Sequence, residues 1–178
     1  MKPREEPLDP ELDLGPEADP ESVARKILLD QLTTRARTRA ELATKLAQRD
    51  VPDPLATRLL DRFEELGLID DAAFARDWIE QRQRGRGLAK RALAQELRTK
   101  GVPDDLAKEA LAEIDAGDEE ALARQLVRSK LRSVRGLPRD KATHRLVGML
   151  ARKGHSPGVA YRVVAQALDL PASEQVEC

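Results

Sequence analysis

A chain of 178 residues that is 40% hydrophobic but only 2% aromatic must build its core from Leu, Ala, Val and Ile, which suit helices when interleaved with Arg, Glu, Lys and Gln. A single cysteine, Cys178, excludes an internal disulfide, and no apolar run approaches the roughly 18 residues of a membrane-spanning helix. The net charge of −1 conceals a segregation: residues 1–21 hold eight acids against Lys2 and Arg4, which leaves +5 on the remainder.

β-Branched and aromatic residues nowhere alternate with polar ones over a useful stretch, so the fold class expected is all-α. The start of the chain is acidic and proline-rich, unlike a secretory signal with its basic beginning and apolar middle, and a cytoplasmic location is expected.

In chain order, residues 1–18 contain Pro3, Pro7, Pro10 and Pro16 among acids and read as a disordered acidic tail. Order begins at Asp19-Pro20-Glu21, which supplies an N-cap, a pre-set first φ and a first-turn acid. Helices are expected at about 20–33, 39–49 and 53–66. Thr38 and Glu41 form a capping box for the second, and Leu55, Leu59, Phe63 and Leu66 make one stripe of the third, which stops at Gly67. Asp70 then caps a helix at about 71–84 that carries Phe74 and Trp78 on one face. Gly85-Arg86-Gly87 breaks the chain, and helices follow at about 88–100 and 103–115, separated by Gly101 and the Val102-Pro103-Asp104 start. The last three helices are expected near 118–134, 138–153 and 156–169, with Gly154 stopping the middle one, before a flexible tail over 171–178.

These helices repeat. Leu42-Ala43, Leu46, Val51-Pro52-Asp53 and Leu55-Ala56 return 51 residues later as Leu93-Ala94, Leu97, Val102-Pro103-Asp104 and Leu106-Ala107. A further 53 residues on stand Leu146-Val147, Leu150, Lys153-Gly154 and Val159-Ala160. The preceding helices match as well, as Val23-Ala24-Arg25, Phe74-Ala75-Arg76 and Leu122-Ala123-Arg124, at offsets of 51 and then 48. The spacing excludes tetratricopeptide and ankyrin arrays, whose periods are about 34 and 33. Three tandem three-helix repeats, at 19–67, 68–116 and 117–170, are expected. Each is marginal alone and gains by stacking, which gives an elongated, curved array.

No catalytic constellation emerges. His144 and His155 have no partner at metal-ligand spacing, and His155 takes the place of Val102, which predicts a half-buried packing residue. Cys178 has no neighbouring base, no phosphate-cradling Gly-x4-Gly-Lys-Ser/Thr loop exists, and Asp70-Asp71 is explained by helix capping and the helix dipole. No enzyme, metal or cofactor is expected.

What remains is positive charge, gathered at the same helix A–helix B junction of each repeat. Arg35, Arg37 and Arg39 occupy it in the first. Arg82, Arg84, Arg86, Lys90 and Arg91 span it in the second, followed by Arg98 and Lys100, and Arg128, Lys130, Arg132, Arg135 and Arg139 span it in the third. Stacked repeats would align these junctions into a stripe suited to a polyanion or an acidic protein surface.

The stretch Gly67-Leu68-Ile69-Asp70-Asp71-Ala72-Ala73-Phe74-Ala75, followed by Arg82, Gly85-Arg86-Gly87, Glu96-Leu97 and Lys100-Gly101-Val102, resembles the central motif of the RecX family. Arg35, Thr38, Glu41-Leu42 and Leu46 look like that family's first segment, and Lys141, Leu150 and Arg152-Lys153-Gly154 like its last. The resemblance spans residues 23–168. It departs at Asp50, where the family has glycine, and in the acidic tail. It implies a monomeric regulator, without cofactor, that binds in the groove of the RecA–DNA filament. Such a regulator inhibits RecA ATPase, strand exchange and co-protease activity; the residues themselves make the Arg/Lys stripe the expected contact surface, with weak direct contact with single- or double-stranded DNA. The alternatives are a helical-repeat protein that binds DNA directly through the same stripe, and a scaffold for an unrelated partner. An enzyme ranks last.

Overall fold

The computed structural model describes residues 19–169, so the tails expected over 1–18 and 171–178, with Cys178, lie outside the described residues. Within them the chain is helical throughout. The helices are α1 (Pro20–Thr34), α2 (Arg39–Ala47), α3 (Asp53–Glu65), α4 (Asp71–Arg86), α5 (Lys90–Thr99), α6 (Asp104–Ala112), α7 (Ala116–Leu131), α8 (Arg139–Arg152) and α9 (Pro157–Asp169).

Local chemistry accounts for most of the starts. The Asp19 carboxylate accepts the Ser22 N–H, the Asp70 carboxylate accepts the Ala73 N–H at 2.8 Å, and Thr38 and Glu41 complete the reciprocal capping box on α2. The structure departs from the expected bounds at two places. α4 runs through Gly85 to Arg86 and stops only at left-handed Gly87. Leu88 and Ala89 are not helical; they are buried, and the Ala89 N–H reaches across to the Lys153 carbonyl at 2.9 Å. α7 closes in a 3-10 turn over Arg132–Val134.

The hydrophobic core is divided in three. Ala24, Leu28, Leu42, Leu46, Leu59, Leu60 and Phe63 form the first cluster, with Ile69 from the loop after α3. Phe74, Ala75, Ile79, Leu93, Leu97, Val102 and Ala107 form the second; Val127, Leu131, Leu146, Leu150, Val163 and Val164 belong to the third. Each cluster is supplied by three consecutive helices, and the closely packed helix pairs lie inside these units. Clusters this small are marginal alone, which makes the contacts between units energetically important.

Those contacts follow one pattern, built twice. At the first joint the end of α5 sits on the start of α2. The Thr38 hydroxyl donates to the Lys100 carbonyl at 2.6 Å, and the Lys100 ammonium reaches Glu41 at 2.7 Å. A methyl on Gly101 would stand 2.3 Å from the Ala40 Cβ. At the second joint the end of α8 sits on the start of α5. Besides the Ala89–Lys153 bond, the Lys153 ammonium donates to the Arg86 carbonyl, and a Cβ on Gly154 would come within 2.5 Å of the Ala92 nitrogen. Glycine is thus required at both joints for close approach as well as for positive φ. In the first unit the same place is Asp50, at φ +55. It is exposed, no unit packs on it among the described residues, and aspartate tolerates the left-handed region.

His155, expected to be half-buried, is 1% exposed because it follows Gly154 into the second joint. Burial lowers its pKa below the usual 6.5, and Lys153 adds to the effect. The ring faces the Gly87 backbone, but neither nitrogen has a hydrogen-bond partner of acceptable geometry among the described residues.

Candidate binding surface

The cations singled out in the sequence divide by what surrounds them. In the first unit Arg39 is held by Asp61 at 2.6 Å and by Glu64, both on α3. Burial tends to lower its pKa, but the two carboxylates outweigh that and raise it. Arg35 approaches Glu41 at 3.5 Å. Burial raises the pKa of Glu41, but the bond and charge of Lys100, then Arg35, outweigh it and hold the carboxyl below the ordinary carboxylate range. Arg37 is half-buried, its Nε enclosed without a partner among the described residues.

In the second unit Arg82 is part of the scaffold. Its guanidinium lies 4.0 Å above the Trp78 ring and donates to Glu96 at 2.9 Å, and the same carboxylate accepts the Trp78 indole N–H at 2.9 Å. Trp78 stacks on Phe74 with ring centroids 5.6 Å apart, and the Lys100 ammonium sits 4.8 Å from the Trp78 centroid. Arg86 is 3.8 Å from Glu96, and Arg84 pairs with Glu80 one turn away. Lys90 faces Glu119 of α7, whose carboxyl is nevertheless pushed up by burial. Arg91 and Arg98 are exposed and make no ion pair among the described residues.

In the third unit Arg128, Lys130, Arg132 and Arg135 are all exposed and make no ion pair among the described residues; only Arg139 does, with Asp169 at 2.5 Å. The three junctions are therefore unequal. Those of the first two units spend much of their charge on internal carboxylates, while that of the third leaves most of its charge open.

Sequence reasoning passed over two features. Asp71, taken as a first-turn acid of its own helix, is 8% exposed and accepts the Arg39 backbone N–H at 2.9 Å, which caps α2 across the first joint. Burial raises its pKa. Lys141, Arg145 and Arg152 on α8 are exposed and carry no ion pair among the described residues. Their helical spacing was the available signal.

Among the described residues no three His, Cys, Asp or Glu side chains are placed to hold a metal ion, and no helix is long and apolar enough to cross a membrane.

The first, second and third three-helix domains of RecX match residues 24–63, 70–111 and 118–164 respectively. Regulatory protein RecX of Streptomyces coelicolor is 55% identical over 154 residues, covering 86% of this chain and 82% of that one. Its counterpart in Thermobifida fusca is 47% identical over 163 residues, covering 90% and 88%. Among solved structures, RecX from Lactobacillus salivarius superposes with a TM-score of 0.77 over 84% of this chain and 97% of that one, at 19% identity, a likeness of fold. A second structure, described as regulatory protein RecX, gives 0.74 over 84% and 73%, at 26% identity. With all three domains matched in order, on units joined as described above, the chain belongs to the RecX family of regulatory proteins.

Proposed function

We propose that this RecX-family protein binds the RecA filament on DNA and restrains its ATPase, recombinase and co-protease activities, and so modulates DNA repair and the SOS response. The observation that carries the reading is the twice-built joint. It ties three small units into one continuous array through the same Lys-Gly contact, and a tandem array suits a partner that itself repeats along an axis. The protein acts by occupancy, as a cytoplasmic monomer, and needs no cofactor. Its contact surface includes the junction cations that lack ion-pair partners among the described residues, above all Arg91, Arg98, Arg128, Lys130, Arg132 and Arg135. Exposed contacts of this kind are individually modest, and their effect is collective.

The test is the ATPase of RecA on single-stranded DNA, titrated with the full chain and with a chain lacking residues 1–18. The rate should fall in a saturable manner. An unchanged rate at excess protein would remove RecA from the proposal.

A further inference from the structure

Electropositive character in this chain is a property of one unit. Residues 19–67 hold nine Arg or Lys against nine Asp or Glu, and residues 68–116 hold nine against ten. Residues 117–169 hold eleven against five. Three of those five acids are committed or capping: Glu120 is shared by Arg124 and Arg162, Asp169 is held by Arg139, and Asp118 lies in the first turn of α7.

On α8 the excess becomes a surface. Lys141, Arg145 and Arg152, with Gly148 between, recur at spacings of four, three and four, which puts all four on one face of a helix. The buried residues Ala142, Leu146 and Leu150 occupy another. The three cations are exposed without ion pairs among the described residues, and the only acid on the helix is Asp140. At Gly148 a Cβ would meet nothing nearer, among the described residues, than the Arg152 guanidinium at 3.5 Å, so no other element packs on the middle of this face. From Lys141 to Arg152 it extends about 16 Å, over which one strand of a duplex presents about five phosphates. Beside the start of α8, Arg135 and Arg139 line a cleft of about 260 Å³ floored by Leu131, Val134 and Leu168.

A helix face selected for stability alone would pair its charges. Lys141 and Arg145 instead repel at i, i+4, which costs a few tenths of a kcal/mol. The face also lacks the aromatic and aliphatic anchors on which protein interfaces concentrate their affinity.

We propose that the α8 face of the third unit, Lys141, Arg145 and Arg152 around Gly148, is a phosphodiester-backbone contact site. It holds nucleic acid without reading its sequence, while the nearly neutral first and second units are left to other contacts. This site stands whether or not RecA is the protein partner, since it can be assayed without RecA.

The test is fluorescence anisotropy of labelled DNA of about 30 nucleotides, single-stranded and duplex, titrated with the full chain at several NaCl concentrations. K141Q/R145Q/R152Q should weaken binding roughly tenfold or more at low salt and cut the slope of log K against log salt by about two to three. Its melting temperature should not fall, because a repulsive pair is removed. R58Q/R62Q, which removes paired cations of the first unit, should leave both quantities unchanged. G148E leaves every cation in place and should weaken binding comparably, which keeps the question answerable if the triple variant misfolds. An unchanged slope in the folded triple variant or undiminished binding in folded G148E would overturn the site, as would equal loss in R58Q/R62Q. Loss of binding to polyglutamate with DNA binding intact would assign the face to acidic protein instead.

Discussion

The Thr38 hydroxyl and the Lys100 carbonyl, 62 residues apart in sequence, are joined by a 2.6 Å hydrogen bond in which one side chain serves two elements. The same oxygen accepts the Glu41 N–H at 3.1 Å as the cap of α2, and the residue is fully buried. T38V should therefore lose a helix cap and an inter-unit bond together, at about 2–3 kcal/mol, while T38S retains both bonds. Urea denaturation of the two variants measures the difference. Equal midpoints would mean that the hydroxyl contributes to neither.

The close approach at the joints makes a second prediction. G101A and G154A each force a left-handed alanine, at about 1–2 kcal/mol, and press a methyl into Ala40 or Ala92, at a further cost of about 1–3 kcal/mol. Both should lower the thermal midpoint clearly. D50G, at the matching place of the first unit, has no neighbour to relieve and a permissive residue to gain, so it should leave the midpoint nearly unchanged. A loss in D50G as large as in G101A would break the equivalence drawn between the three positions.

Much of this fold is legible in the sequence because cap chemistry is local. Asp19, Thr38 with Glu41, and Asp70 announce helix starts from residues within one turn, and the structure places the caps there. The joints are not legible in that way. Lys100-Gly101 and Lys153-Gly154 look like ordinary helix stops, and only tertiary contact shows the glycines admitting a neighbouring helix. The same holds for charge: Arg39 reads as a junction cation, but its carboxylates come from Asp61 and Glu64, 22 and 25 residues away. Asp71 reads as a dipole partner of α4 until its bond to the Arg39 N–H is seen.

His155 gives the second joint a pH dependence. Its folded pKa lies below 6.5 because the ring is buried, so the unfolded chain binds the proton more readily. Stability is therefore complete above about 6.5 and falls as the pH drops through the interval between that value and the folded pKa. H155V, which installs the residue found at the matching place of the second unit, Val102, should remove this loss. Denaturant midpoints of both proteins between about pH 5 and 7.5 provide the comparison. Parallel curves would show that protonation of His155 does not reach the joint.

The unequal environments of the junction arginines separate scaffold from surface. Arg82 lies over Trp78 and shares Glu96 with it, so R82Q removes a partly buried charged hydrogen bond and a cation–π contact. It should cost about 1–2 kcal/mol of stability after allowance for solvent screening. Arg132 and Arg135 are exposed and make no ion pair among the described residues, so R132Q/R135Q should leave the melting temperature within about a degree of the parent, since surface changes away from such networks are small. In a RecA–DNA binding assay the order should invert. R132Q/R135Q weakens association and flattens its salt dependence, whereas R82Q acts only so far as it unfolds the protein. Measuring both variants at a temperature where each is fully folded makes the comparison clean. If R82Q then weakened binding more than R132Q/R135Q did, the division between a load-carrying Trp78–Glu96–Arg82 cluster and an open third-unit surface would have to be redrawn.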